Sequence, residues 1–129
     1  MSDQIGEHFA AKLHDLERTR DPQALLAIFH DDVELQRAPQ DRTYRGLDGA
    51  REFWNEYLRM FASVETTFDA VTQSDGRAAL EWHSTCTLES GAEVSYQGCT
   101  VIESDGERVH KLRTYYNSTA VLDRTATNA

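Results

Sequence analysis

The sequence predicts an α+β domain, with three N-terminal helices packed on one face of a curved antiparallel sheet. Three observations carry that reading. Apolar residues recur at a helical period through the first half of the chain, the period drops to two after Ser63 and stays there, and three short turns divide the second half. Helices succeeded by consecutive hairpins give separate α and β layers, and the concave side of such a sheet is where a pocket forms.

Each element is set by local pattern. From Asp3 to about Arg20, Ile5, Phe9, Leu13 and Leu16 draw one stripe along a first helix. Asp21-Pro22 reads as a cap with proline in the first turn of a short second helix containing Leu25, Leu26, Ile28 and Phe29, ended by His30-Asp31-Asp32. Val33 to Arg37 alternates as a half-buried strand, and Ala38 to Arg45, with Pro39 and Asp41, forms a polar loop. Asp48 caps a third helix to about Ala62, with Ala50, Phe53, Trp54, Tyr57, Leu58 and Phe61 on one broad face. Four strands come next at about 64–73, 77–88, 93–103 and 108–117, joined by Ser74-Asp75-Gly76, Ser90-Gly91-Ala92 and Ser104-Asp105-Gly106.

The 129 residues suit one domain over 1–129, with 118–129 as a C-terminal tail. Asp and Glu number 22 against 13 Lys and Arg, a formal charge of -9, so no basic face exists to neutralise nucleic-acid phosphates or anionic lipid. The longest apolar run, Ala24 to Phe29, is far too short to span a membrane, and the N-terminus has neither a basic nor an apolar stretch, which points to the cytoplasm. Cys86 and Cys99 lack disulfide or metal-ligand spacing and read as reduced thiols.

The order of elements, with the phrases Asp31-Asp32-Val33-Glu34-Leu35, Tyr44-Arg45-Gly46-Leu47-Asp48-Gly49-Ala50-Arg51-Glu52-Phe53-Trp54 and Arg113-Thr114-Tyr115-Tyr116-Asn117, resembles the SnoaL-like branch of the nuclear transport factor 2-like superfamily. The resemblance covers nearly the whole chain and implies a cone-shaped sheet and a homodimer through the outer sheet face. It does not fix the chemistry, because that scaffold hosts isomerases, cyclases, dehydratases, hydrolases, transport factors and dimerisation modules. Ketosteroid isomerases there use an Asp base with a Tyr and a protonated Asp as oxyanion hole. Counted from the matched phrases, those positions fall on Arg37, Leu13 and, near the last hairpin, Gly98, which argues against that activity. Where many relatives follow the aromatic pair of the last strand with Asp, this chain has Asn117, an amide that orients but takes no proton.

Strand alternation sorts the sheet residues into two faces and puts Leu80, Trp82, Ser84, Cys86 and Leu88 on one of them; the resemblance implies that this is the concave face and that Tyr96, Gly98, Thr100 and Ile102, then His110, Leu112, Thr114 and Tyr116 share it, with no Asp or Glu among them. His110 and Tyr116 are the catalytic candidates, an imidazole that titrates near neutrality and a phenol that donates to a carbonyl or hydroxyl. Trp82, Trp54, Tyr57, Arg37, Ser84, Thr114 and Asn117 are the ligand-binding candidates. Arg37 either clamps a carboxylate or enolate oxygen or pairs with Asp41 or Glu34 on the surface. The two-histidine arrangement of the dehydratases is disfavoured, because His83 points away from His110's face. His30, Asp31, Asp32 and Glu34 lack diagnostic metal spacing and read as a solvated turn, and neither a metal nor another cofactor is expected. The resulting expectation is a pocket for a small hydrophobic molecule, serving a cofactor-independent isomerase, cyclase or hydratase-like enzyme. The alternatives are a ligand carrier or sensor and a structural dimerisation module.

Overall fold

A computed structural model describes residues 5–38, 42–105 and 107–117. Helix α1 (Ile5–Thr19) buries the predicted stripe of Ile5, Phe9, Leu13 and Leu16. It stops at Arg20, which takes the left-handed conformation (φ 62°) while its N–H bonds the Leu16 carbonyl at 2.7 Å. The Arg20 guanidinium donates to the Leu58 and Phe61 carbonyls at 2.7 and 2.9 Å. Asp21 caps the next helix, its carboxylate accepting the Gln23 N–H at 3.0 Å.

That helix, α2 (Gln23–Leu26), is shorter than the apolar run suggests. Phe29 and His30-Asp31-Asp32 belong instead to strand β1 (Phe29–Ala38), which takes Phe29 into the sheet. The polar loop contains a three-residue strand, β2 (Thr43–Arg45), that alternation could not reveal. Helix α3 (Gly46–Met60) begins two residues before Asp48, so Asp48 sits in its first turn, where it favours the helix dipole, rather than capping it. Phe61 and Ala62 start β3 (Phe61–Ser74) instead of ending the helix. Strand β4 (Arg77–Leu88) has the predicted bounds, and β5 (Glu93–Ser104) and β6 (Val109–Tyr116) lie within a residue or so of theirs. The expected 118–129 tail lies outside the described residues.

The six strands form one curved sheet in the order β2-β1-β6-β5-β4-β3. The predicted meander of β3 to β6 is antiparallel throughout. The sheet as a whole is not, because β1 pairs with β6 in parallel, Leu35 opposite Leu112. Two apolar clusters fill the space between helices and sheet. The larger joins α1, α2 and α3 to Leu80, Ile102 and Leu112, and the smaller gathers Phe61, Val64, Trp82, Cys86, Leu88, Val94 and Tyr96.

Candidate functional site

A pocket lies at the seam between those two clusters. Phe9, Leu13, Phe53 and Trp54 line it from the helices and the larger cluster, Trp82 and Tyr96 from the smaller, with Arg37, Tyr57, Met60, Thr66, Ser84, Thr100, Thr114 and Tyr116 between them. Edge-on and stacked rings run around it, Trp54 to Tyr57 at 5.6 Å, Tyr57 to Phe61 at 5.8 Å, Phe61 to Tyr96 at 5.9 Å and Tyr96 to Tyr116 at 5.5 Å. The free space is about 40 Å³, room for one or two water-sized groups.

The structure brings seven predicted residues to this pocket and leaves two out. Trp82, Trp54, Tyr57, Arg37, Ser84, Thr114 and Tyr116 all line it. Asn117 does not; it comes after β6, exposed, its backbone N–H on the Gln97 carbonyl at 3.3 Å. His110 does not either. Glu103 pairs with Lys111 but Ser104 with Val109, so a bulge at His110 breaks the alternation and sends Val109 into the core in its place. His83 is on the exposed face, paired with Asp69 at 2.9 Å, so the two histidines do not converge.

Most polar groups in the pocket are already bonded to one another. Trp82 Nε1 donates to Thr100 Oγ1 at 2.9 Å, Thr100 meets Thr114 at 3.0 Å, and Ser84 meets Thr66 at 2.7 Å. Tyr57 donates to Glu17 at 2.7 Å, and Glu17 also accepts the Thr66 N–H and hydroxyl. Burial, reinforced by the Glu17 carboxylate, pushes the Tyr57 phenol well above its ordinary pKa, and burial pushes Tyr96 up as well. Glu17 is not among the sequence candidates, although its place four residues after Leu13 puts it at the edge of the buried stripe. Phe9 and Phe53 likewise escape sequence reasoning as lining residues, since their helical period marks them as core and no more; Met60 and Thr66 carry no signal that singles them out, and Leu13 is pointed to only by its match to the ketosteroid isomerase tyrosine.

Other groups of the lining stand apart from this network. Trp54 Nε1 is buried and has no hydrogen-bond partner among the described residues. Tyr116 and Tyr96 contribute ring contacts to the pocket wall. Arg37 is 5% exposed and lines the pocket, so it is no surface residue. It pairs with neither expected surface partner that the structure describes: Glu34 is bound by Arg45 at 2.5 Å, and Asp41 lies outside the described residues. Its guanidinium lies over the Phe53 ring at 3.8 Å, donates to the Phe53 carbonyl at 2.8 Å, and stands 3.7 Å from Glu56. Glu56 divides its charge, accepting the Tyr44 hydroxyl at 2.5 Å and approaching Arg42 at 3.5 Å.

The positions matched to the ketosteroid isomerase residues surround the same space. Leu13 and Arg37 line it, and Gly98 pairs with Trp82 on one side and Tyr116 on the other. A Cβ at Gly98 would overlap the Tyr115 carbonyl and come within 2.8 Å of both Trp82 Cζ2 and Tyr116 Cβ, so no acid fits there without moving the strands.

A family model for the SnoaL-like domain matches residues 10–111. No curated protein matches the sequence significantly. Solved structures match its fold over nearly the whole length. An NTF2-like protein from Anabaena variabilis superposes with a TM-score of 0.82 at 15% identity, covering 92% of each chain. A protein of ketosteroid isomerase-like fold from Catenulispora acidiphila, in complex with trimethylamine, gives 0.81 at 15% identity and again 92% of each chain. TerC, co-crystallised with polyporic acid, gives 0.81 at 13% identity over 94% of this chain and 98% of its own. With a family match over most of its length and the NTF2-like sheet-and-helix architecture described above, the chain belongs to the SnoaL-like domain family.

Proposed function

We propose that the pocket binds a small, flat, hydrophobic molecule bearing an acidic or strongly polarised oxygen, which Arg37 receives. The observation that carries this is a buried arginine in the lining of an aromatic pocket that has no carboxylate among its described lining residues. A buried cation shared with one loosely placed, already engaged carboxylate is under-neutralised, and a ligand oxygen in its reach supplies the missing charge. Trp54 Nε1 and the Tyr116 hydroxyl offer further donors, and the ring wall offers flat apolar surface. Two of the structural neighbours were solved with an amine and with an acid respectively, so charge preference has to come from this chain's own residues, and the charged residue in this lining is Arg37.

The chemistry such a site supports is polarisation of a carbonyl or stabilisation of an enolate. Proton abstraction at neutral pH has no agent in the lining, which holds no His, Asp or Glu and whose buried phenols Tyr57 and Tyr96 are pushed upward. Tyr116 therefore serves as a hydrogen-bond donor, and a carrier or sensor fits as well as an isomerase or cyclase-like enzyme. His110 has no place in this chemistry.

The free space of about 40 Å³ favours a second reading, a dimerisation module whose own side chains fill the cavity. A ligand enters only when Met60, the exposed residue of the lining, and its neighbours swing aside. The partner face of either reading is the outer surface of the sheet, where Tyr115 is 45% exposed. Native mass spectrometry of freshly purified protein separates the readings. A dimer retaining a small organic acid supports the proposal, whereas a ligand-free dimer that also rejects aromatic acids added in excess supports the module.

A further inference from the structure

Strand β6 loses register with both neighbours at one residue. On the β5 side the shift falls between Lys111 and Val109, and on the β1 side Phe29 pairs with Val109 but the next pair is Glu34 with Lys111. Four residues of β1, including His30, thus stand opposite His110 alone. A bulge re-aims a side chain, and this double irregularity sets the His110 ring against that of His30, stacked at a 4.2 Å centroid distance. The β5–β6 turn adds Asp105, whose Oδ2 lies 3.2 Å from His110 Nε2. The other oxygen of Asp105 accepts the Glu107 and Arg108 N–H groups at 2.9 and 2.8 Å, which fixes the carboxylate in place. One ligand atom from each of His30, Asp105 and His110 falls within 4.8 Å of the others.

We infer that His30, Asp105 and His110 form a surface site for a borderline divalent transition-metal ion, of which zinc is the natural probe. Two imidazoles and one carboxylate are a donor set that zinc, nickel and cobalt take and that calcium and magnesium, which prefer all-oxygen shells, do not. Ligand atoms around a tetrahedral ion with bonds of about 2.0–2.1 Å stand roughly 3.3 Å apart, so the widest separation must close by rather more than an ångström. His30 and His110 are only half-buried and can turn to do so. The ion takes the position of the proton between His110 Nε2 and Asp105. His30 Nδ1 now accepts the Asp32 N–H at 3.1 Å, and because Asp32 is exposed, solvent replaces that bond when the ring turns. No spacing rule could have flagged the trio, because its members come from β1, a turn and β6.

The test uses the full, tag-free chain stripped with chelator and titrated with zinc chloride, read by calorimetry and by imidazole nitrogen NMR. One zinc per chain at sub-millimolar concentration, shifting His30 and His110 but not His8, His14 or His83, is the expected result. His30→Ala and Asp105→Asn, each checked for fold by circular dichroism, should weaken binding by about tenfold or more. Asp105→Asn keeps an oxygen for the Glu107 and Arg108 N–H groups and so preserves the turn. Zinc binding that neither variant changes, shifts at His83 instead, no binding below the millimolar range, or equal response to magnesium would each overturn the site.

Discussion

In the function proposed, Arg37 is the residue on which the charge of the ligand turns. Its sequence context favours a surface ion pair with Asp41 or Glu34 over a pocket clamp, because one residue's period says which face it takes and not what lies there. The structure places it over Phe53 and 5% exposed. Arg37→Met, which keeps the apolar stem, should abolish binding of aromatic acids while neutral analogues of the same shape bind within about threefold of wild type, as fluorescence titration would show. Cys86 gives a second prediction. Burial lifts its thiol from 9.0 to about 12, so between those values the unfolded chain has lost a proton that the folded chain keeps. Stability therefore falls as pH rises through that window. Urea midpoints measured at about pH 8 and about pH 10 should drop further for wild type than for Cys86→Val, which removes the thiol at similar volume. Tyr57 and Tyr96, raised in the same direction and first of all by burial, remain in both proteins, so the burial part of their contribution cancels in the comparison.

Among elements, the paired strands and the helix ends make separate predictions. Gly98 lies where β5 passes between Trp82 and Tyr116, and the overlap of a Cβ with the Tyr115 carbonyl makes Gly98→Ala an overpacking change of about 1–3 kcal/mol, visible as a lower denaturant midpoint. Arg20 ties the end of α1 to the last turn of α3 and the start of β3 while holding φ at 62°. Arg20→Ala loses both charged hydrogen bonds and keeps the strained backbone. Arg20→Gly loses the same bonds but relieves the strain, so thermal unfolding should find the glycine variant more stable than the alanine one by about 1 kcal/mol. Element types are legible wherever periodicity runs long enough: the α1 stripe, and β4 to its very ends. Local pattern misleads where two elements meet. Ile28-Phe29 continues the apolar run of α2, yet Phe29 packs into β1, because pairing with Val109 some eighty residues away outweighs local pattern. The parallel β1–β6 pairing and the bulge at His110 are likewise tertiary in origin, and alternation carried straight through the bulge puts His110 on the wrong side.

Over the whole molecule, the pocket is the seam where two apolar clusters meet, and that explains how much of it the sequence foretells. Alternation sorts the concave-face residues of β4, β5 and β6 correctly apart from the bulge; which of them border the cavity depends on where the clusters part. Leu80, Ile102 and Leu112 share the face but lie beneath the helices in the larger cluster. The described lining residues include no carboxylate, while Glu17 and Glu56 stand one bond behind the lining, set there by α1 and α3. With a net charge of -9, the preference for an anionic ligand proposed for this pocket is a local effect of Arg37 that long-range electrostatics would not suggest. Both tryptophans of the chain, Trp54 and Trp82, line this space, so the protein carries its own reporter. The most direct measurement is a tryptophan fluorescence titration with 2-naphthoate beside its neutral analogue 2-acetylnaphthalene, on wild type and Arg37→Met. Saturable quenching by the acid at concentrations at least about tenfold below those needed for the ketone, lost in Arg37→Met, is the predicted result. Equal response to both compounds, or none to either at their solubility limit, would contradict an anion-receiving pocket.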